Sequence, residues 1–387
     1  MSCDCCCEVE LNILPSNLKF KSVKYIQIPQ EFNTYEIIEE LILNYNFENV
    51  ESTFLSLKQI LDADITLDQV VFDTLGYFKN FYNPDHFKNL EALLSAEYDI
   101  NYKTYSIKLE SVSNPNHTTN DKMNSDNLSY VKKMCRSNKA ETKHNLMCIA
   151  CREGHINCVN YLLTTNIHLD REIARNAAFG GNMEIVQTLE RKNLSFDYCL
   201  ECAVARHNHS LCDYLIKNYR CENIDAKRCL EFYNFRAFYF CFSNNLVKEN
   251  FLEDIAQRHY FYFFKYMARQ GFTDQVPRET ILKYMIDKKY IEHVRFVFDN
   301  FKTVETKDQK VIMKKVVKTK NEDLLKLFIE NGYDLNIKSS FGTPLTIAVI
   351  NNNVELVKYL LEKGADVNVT SCGNYRNIIF VIYGIHF

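Results

Sequence analysis

The stretch from Gly342 to Asn368, GTPLTIAVINNNVELVKYLLEKGADVN, limits most narrowly what this chain can fold into. Gly342 suits a turn that needs a positive φ angle, and the hydroxyl group of Thr343 can cap a helix. Pro344 fits the first position of that helix, where its missing N–H is no loss. The spacing therefore predicts a short helix that begins at Pro344 and has one apolar face.

A second amphipathic helix follows after a break at Asn351 to Asn353. Apolar residues recur at helical spacing from Val354 to Leu361, and Gly364 is placed to end the helix. A helix–turn–helix unit of this size cannot bury its apolar side without a neighbour on each side. The stretch therefore predicts a stacked array of similar units.

Further units share a common register along the chain. The positions equivalent to Lys358 in the second helix are Asn160, Gln187, Asp213, Tyr239, Lys265, Arg295 and Lys326. Ten residues before each of these markers stands an apolar and mostly small residue of the first helix: Ala150, Ala177, Ala203, Cys229, Ile255, Met285, Val316 and Ala348. Small residues are expected where adjacent helix pairs approach closely. The steps lengthen from 26 or 27 residues to 30, 31 and 32, so the middle units have little room for a loop between pairs.

The last two units resemble ankyrin repeats, whose standard length is about 33 residues with a β-turn finger. The segments GHINCVNYLL, GGNMEIVQTL and HNHSLCDYLI resemble the shortened helix pairs of divergent ankyrin-repeat proteins from single-celled eukaryotes, and similar repeats occur in giant DNA viruses. The resemblance covers residues 144 to 371. It implies an all-α ankyrin-repeat solenoid of stacked helix pairs that binds proteins and has no catalytic activity.

Four regions are predicted: a small, mainly helical N-terminal domain at 1–105, a polar linker at 106–143, degenerate helix pairs at 144–271, and ankyrin repeats at 272–387, the last one incomplete. In the N-terminal domain, helical spacing covers residues 35–43, 50–61, 67–81 and 87–96, and residues 19–29 are a candidate strand. Two interpretations stay open for this domain. It is a helical cap over the first repeat, or a decayed strand-and-helix dimerisation module of the BTB type.

The end of the sequence departs from the repeat pattern. After Asn368 the next unit should begin with a T-P-L-like start, but Tyr375 and Arg376 stand there, followed by an apolar run from Ile378 to Tyr383. Arrays need a polar terminal unit, so this run either folds back over the last repeat or belongs to a truncated one.

Charge and hydropathy favour a cytoplasmic protein. The formal net charge of −3 gives no overall bias towards nucleic acid. The basic run KVIMKKVVK, Lys310 to Lys318, is at helical spacing, which favours a solvated helix face over a phosphate-binding strip. Neither an apolar run of about 18 residues nor a basic region followed by an apolar one at the start is present, so we expect neither a spanning helix nor secretion.

The chain has 15 cysteines. The pairs Cys148/Cys151 and Cys199/Cys202 are too far apart for a compact zinc site and lie in different registers, so we expect buried thiols in a reducing cytosol and no metal. The N-terminal cysteines are different, because no packing role is evident for them. They are candidates for lipidation, with metal or redox chemistry or no specific role as the alternatives: Cys3, Cys5, Cys6 and Cys7.

No catalytic motif was found. The sequence has no phosphate-binding G-x-x-x-x-G-K-[ST] loop, no G-x-S-x-G and no H-E-x-x-H. The histidines at or just after the helix–helix turns are expected to serve those turns: His155, His207, His209 and His293. We therefore predict a protein that is not an enzyme and has neither a cofactor nor a small-molecule substrate.

The predicted function is that of a scaffold or adaptor that binds another protein through the concave face and the fingers of its array. The ankyrin resemblance places the contacts at Asp334, Asn336, Lys338, Ser339, Ser340, Phe341, Thr346 and Asn351. The alternative is a membrane-tethered scaffold held by lipidated N-terminal cysteines, and only in that case would a membrane be a partner.

Overall fold

The computed structural model describes residues 22–79, 85–98, 128–136, 139–221, 225–247, 251–275, 277–287, 290–302, 308–339 and 342–369. Over these ranges the fold contains 21 α-helices, three short 3₁₀ helices and no β-strand, and about 68% of the described residues are helical. One isolated antiparallel bridge joins Ser339 and Gly342. The predicted all-α class is confirmed.

The N-terminal region contains four helices: α1 (Asn33–Leu43), α2 (Val50–Ala63), α3 (Asp68–Lys79) and α4 (Lys88–Glu97), with 3₁₀ turns at Gln30–Phe32 and Ile65–Leu67. The strand predicted over residues 19–29 is not present in its described part, 22–29. The backbone N–H groups of Val23 and Lys24 instead donate to the carboxylate of Asp213, at 2.6 and 3.3 Å. These two donors bind a side chain of the array and not a neighbouring strand.

A single helix, α5 (Leu128–Cys135), precedes the helix pairs. The first four pairs are α6/α7 (Ala140–Arg152, Ile156–Leu163), α8/α9 (Arg171–Gly180, Met183–Glu190), α10/α11 (Leu200–Ala205, His209–Asn218) and α12/α13 (Ala226–Glu231, Phe235–Ser243). The last four are α14/α15 (Phe251–Gln257, Phe261–Arg269), α16/α17 (Arg278–Leu282, Ile291–Asn300), α18/α19 (Asp308–Thr319, Glu322–Glu330) and α20/α21 (Pro344–Ile350, Val354–Glu362), with a 3₁₀ turn at Thr273–Gln275.

The chain divides into two compact units. Unit 1 comprises Met1–Phe54 with Phe72–Phe251, and unit 2 comprises Leu55–Val71 with Leu252–Phe387. Both units contain the repeat register that the sequence predicts, because all eight first-helix marker residues have 0% exposure: Ala150, Ala177, Ala203, Cys229, Ile255, Met285, Val316 and Ala348.

Asparagines at the helix–helix turns link successive pairs in unit 1. Each caps the second helix of its own pair, and its side-chain amide also donates to a carbonyl of the preceding pair. The donations run from Asn182 to Gly154 at 3.3 Å, from Asn208 to Gly181 at 2.9 Å and from Asn234 to Val204 at 2.8 Å. This row of amides fixes the spacing of the pairs.

Helix α1 packs against α13 in unit 1. The rings of Phe32 and Tyr35 lie 4.9 and 5.0 Å from the ring of Phe235. Helix α1 therefore contacts the fourth pair and not the first repeat, over which the cap was predicted. The first pair is contacted by α5, in which Val131 and Cys135 are buried.

Helix α5 lies within residues 106–143, the stretch predicted as a linker, so this part of the stretch is packed helix. The polar run that suggested the linker, 111–127, lies outside the described residues, as does the C-terminal run 378–383. The four domain boundaries stay a prediction.

Candidate protein-binding surface

The finger between α19 and α20 is held by its own side chains. The carboxylate of Asp334 accepts from the N–H of Asn336 at 2.8 Å, and that of Asp366 accepts from the N–H of Asn368 at 2.8 Å. The amide oxygen of Asn336 also accepts from the N–H of Asp366 at 2.8 Å. The same turn therefore occurs in two successive repeats, and a hydrogen bond joins the two copies.

The other end of this finger is a tight hairpin. Ser339 and Gly342 exchange backbone hydrogen bonds of 3.0 and 3.2 Å, and the Ser339 hydroxyl donates to the Gly342 carbonyl at 2.7 Å. Gly342 has a φ of 108°, and a Cβ atom there would lie 2.8 Å from Cγ2 of Thr346. Only glycine fits this position, as the sequence predicts.

The eight predicted contact residues differ in their exposure to solvent. Asp334, Lys338 and Asn351 are exposed, and Asn336 and Ser339 are half-buried. Ser340 and Phe341 lie outside the described residues.

Thr346 requires a correction, because it is only 1% exposed. Its hydroxyl lies 2.9 Å from that of Thr343, and its N–H donates to the same oxygen at 3.2 Å. Thr346 therefore supports the start of α20 and does not contact a partner.

Helix α18 exposes one long face. The exposed residues recur at helical spacing along the basic run that the sequence analysis interpreted as a solvated face: Lys310, Val311, Lys314, Lys315 and Lys318. Ile312, Met313, Val316 and Val317 form the opposite, buried face. The first helix of this repeat thus presents four cations next to the finger repeat.

The position equivalent to Lys315 is closed in the first three pairs of unit 1. The residues there, one before each marker, are only 1% exposed: Ile149, Asn176 and Cys202. At the position equivalent to Lys318, Phe179 lies between two guanidinium groups, 4.9 Å from that of Arg152 and 5.4 Å from that of Arg206, measured to the ring centroid. The C-terminal part of the first-helix face in these pairs is therefore filled by its own side chains.

One arrangement in unit 1 has the residue types of a nucleophilic triad. Nε2 of His144 lies 2.8 Å from Oδ2 of Asp170, and Nδ1 of His144 lies 3.9 Å from Sγ of Cys148. Burial, with the charges of Glu172 and Asp170, raises the pKa of the Cys148 thiol to about 12. The thiol stays protonated at neutral pH, which makes it a poor nucleophile. The sequence analysis missed this group, because Asp170 comes from the next pair.

The turn histidines are held in their neutral form by burial. Burial lowers the pKa of His207, His209 and His293 to about 4. Nε2 of His207 lies 2.9 Å from the Phe232 carbonyl oxygen, so this nitrogen donates to the next pair. These histidines serve the packing of the turns, which is the role the sequence predicts.

The described cysteines all lie in unit 1 and are buried: Cys135, Cys148, Cys151, Cys158, Cys199, Cys202, Cys212, Cys221, Cys229 and Cys241. Among the described residues, no group of three or more His, Cys, Asp or Glu side chains is arranged to hold a metal ion. The candidate lipidation residues Cys3, Cys5, Cys6 and Cys7 lie outside the described residues. No helix in the described ranges is both long and apolar enough to cross a bilayer.

Comparison with known families decides the identity of the C-terminal repeats. The family model described as ankyrin repeats, three copies, matches residues 282–371. Residues 282–371 are ankyrin repeats. A second model, described as a domain of unknown function (DUF3447) and found in ankyrin-repeat proteins, matches residues 165–241. No curated protein matches the chain.

The two matches fall on the two kinds of repeat in this chain. The ankyrin model covers the longer, finger-containing units, and the second model covers the shortened helix pairs of unit 1. Ankyrin repeats are generally protein–protein interaction modules and typically have no catalytic activity. The origin in single-celled eukaryotes or giant viruses stays a prediction.

Proposed function

We propose that this ankyrin-repeat protein is a non-enzymatic scaffold or adaptor of the cytoplasm. It binds another protein through the finger and the first-helix face of its C-terminal repeats. The supporting observation is that three side-chain-to-backbone hydrogen bonds hold the described residues of the finger, 334–339 and 342. Residues that are already held in place lose little conformational freedom on binding, so more of the contact energy contributes to affinity.

Lys338 is the best-placed contact on this finger, because it is exposed near the hairpin end. The side chains of Asp334 and Asn336 form hydrogen bonds that hold the same loop. Replacing either of them would change the conformation of the loop as well as remove a contact with the partner. Lys338 therefore gives the cleaner test. The proposed partner is a protein, with neither nucleic acid nor a small-molecule substrate as ligand.

The experiment compares pull-downs with the wild-type full chain, Lys338→Glu and the matched control Lys358→Glu, each analysed by quantitative mass spectrometry. Lys358 is exposed on α21, so the control makes the same charge change on a second helix. We expect one protein to be recovered with the wild type and the control, and about tenfold less with Lys338→Glu. Both thermal midpoints should stay within about 2 °C of the wild type. Equal recovery with all three chains would show that the finger is not the binding surface.

A further inference from the structure

The lysine face of α18 has a definite shape. Lys310, Lys314, Lys315 and Lys318 surround the apolar side chain of Val311, which is 48% exposed. From the first lysine to the last the helix rises roughly 12 Å. An extended peptide advances roughly 3.3 Å per residue, so the stripe matches about four residues of a bound strand.

In the preceding repeat, the cation at the position equivalent to Lys314 pairs with a carboxylate. In α16/α17 the turn residue Lys283 occupies the position equivalent to Lys314, and its ammonium group lies 3.0 Å from the carboxylate of Glu253. Helix α18 differs from this arrangement. Within the described residues, neither Lys310 nor Lys314 forms an ion pair with a carboxylate. Lys315 reaches only the Lys283 carbonyl oxygen, at 3.5 Å.

The repeat on the other side contributes an apolar residue. Ile350, at the end of α20, occupies the position equivalent to Lys318 and is 51% exposed. The exposed first-helix row of unit 2 therefore changes from an acidic residue, Glu253, through the lysines of α18 to an uncharged apolar end. A ligand that fits this row has negative charge in one segment and an apolar side chain beside it.

We propose that the α18 stripe binds an acidic peptide segment of the partner, with several Asp or Glu residues next to an apolar one. The inference rests on the proposed protein-binding function and adds the chemistry of the partner. The lysines keep their charged ends in water, so their attraction acts mainly on encounter rate and specificity. Val311 and Ile350 supply the apolar contact that a purely ionic surface lacks.

The surroundings favour a peptide over a nucleic acid. Apart from Lys283, which pairs with Glu253, the cations of this row lie on α18. Carboxylates lie in the same row, since Asp287 occupies the position equivalent to Lys318 one repeat earlier and is exposed. A phosphate backbone would meet these carboxylates along its length. The formal net charge of −3 adds no general attraction for a polyanion.

The test uses the full chain and two fluorescein-labelled probes, followed by fluorescence anisotropy. One probe is an eight-residue peptide with two Glu-Asp-Glu segments around a central Leu-Leu, and the other replaces every acidic residue with Gln or Asn. The variant is Lys310→Glu/Lys314→Glu. The matched control is Lys192→Glu/Lys358→Glu, which makes the same charge change at two exposed lysines outside α18.

We expect the wild type and the control to bind the acidic probe with equal affinity and the α18 variant to bind at least tenfold more weakly. The neutral probe should bind at least tenfold more weakly than the acidic one, and added salt should weaken binding of the acidic probe. Equal binding by the variant and the control, or no binding of the acidic probe to the wild type, would overturn the inference. An oligonucleotide of equal charge that binds more tightly through the same lysines would overturn it as well.

The outcome separates this inference from the proposed function. If Lys338→Glu loses the partner in the pull-down while the acidic probe fails to bind, the finger surface stands and only the acidic chemistry is wrong. If neither surface binds, the proposed function fails with it.

Discussion

The helix pairs of unit 1 and the repeats of unit 2 share a register but differ in what covers them. In unit 1 the second-helix markers Asp213 and Tyr239 are covered by the N-terminal segment: Asp213 accepts hydrogen bonds from residues 22–24, and Tyr239 packs beside Phe32. In unit 2 the equivalent Arg295 and Lys358 are exposed, as are Asn160 and Gln187 in the first two pairs of unit 1, so the covering is confined to the third and fourth pairs.

The difference follows the length of the repeat. Units with a step of 26 residues have no residues left for a finger, and their faces are filled by other parts of the chain or by side chains such as Phe179. The repeat with a step of 32 residues contains the finger that side-chain hydrogen bonds hold, and α18, in the repeat with a step of 31 residues, keeps an exposed first-helix face. The short helix pairs therefore contribute mainly buried side chains, and the longer repeats contribute the surface that we propose binds the partner protein.

The largest expected effect comes from removing a side chain that covers helix pairs of unit 1. Phe32 has 0% exposure and packs against Phe235 and Tyr239, so Phe32→Ala should cost about 3–5 kcal/mol of folding free energy. Hydrogen exchange with mass spectrometry should show faster exchange in α12 and α13. Tyr25→Ala, at a residue that is 75% exposed, is the control and should change little. Unchanged exchange in both variants would show that the N-terminal segment does not stabilise these pairs.

We expect low pH to destabilise the fold of unit 1. The pKa of His207 and His209 is lowered to about 4, so below pH 6.5 the unfolded chain takes up protons that the folded chain does not. Their stabilisation is present above pH 6.5 and is lost as the pH falls towards 4. From pH 7.0 to 5.5 we expect a loss of roughly 2 to 3 kcal/mol, measured by urea denaturation.

Glu39 acts in the opposite direction. Burial raises its pKa well above the ordinary value, so its contribution is present below pH 4.5 and is lost as the pH rises. Oε2 of Glu39 lies 3.6 Å from Nδ1 of His207, and Oε1 accepts from the N–H of Phe235 at 2.8 Å. Glu39→Gln should therefore increase the loss of folding free energy between pH 7.0 and 5.5, whereas His207→Gln/His209→Gln should reduce that loss. An equally steep loss in the double variant would place the acid sensitivity elsewhere.

The smallest effect concerns the turn asparagines. Asn234 in unit 1 is fully buried, caps α13 through the N–H of Ala237 and donates to the Val204 carbonyl. Asn353 in unit 2 caps α21 but donates to a side chain, that of Glu322, at 2.7 Å. Both alanine variants lose a cap, but only Asn234→Ala also loses a buried hydrogen bond to a backbone carbonyl of the preceding pair.

We therefore expect Asn234→Ala to be about 1–2 kcal/mol more destabilising than Asn353→Ala in urea denaturation. A Gln in place of Ala at each position serves as the control for size. Equal losses at the two sites would mean that the pairs of unit 1 are no more tightly linked than the repeats of unit 2.

Sequence reasoning succeeded where the determining interactions are local. Gly342, Thr343 and Pro344 encode the start of α20 within three residues, and Thr343 does cap it. It failed for α5 and for the first residues of the described chain. Val23 and Lys24 find their acceptor on Asp213, about 190 residues away, and no pattern near them shows that partner.

By itself the sequence determined the helix–turn–helix unit, its register and the lengthening steps, because periodicity and turn residues act within one repeat. The tertiary structure alone decided which positions of that register are exposed. Lys314 and Thr346 stand at the same place in adjacent repeats, yet one is exposed and the other is buried. Exposure depends on what the rest of the chain packs over a position, and that is a property of distant contacts.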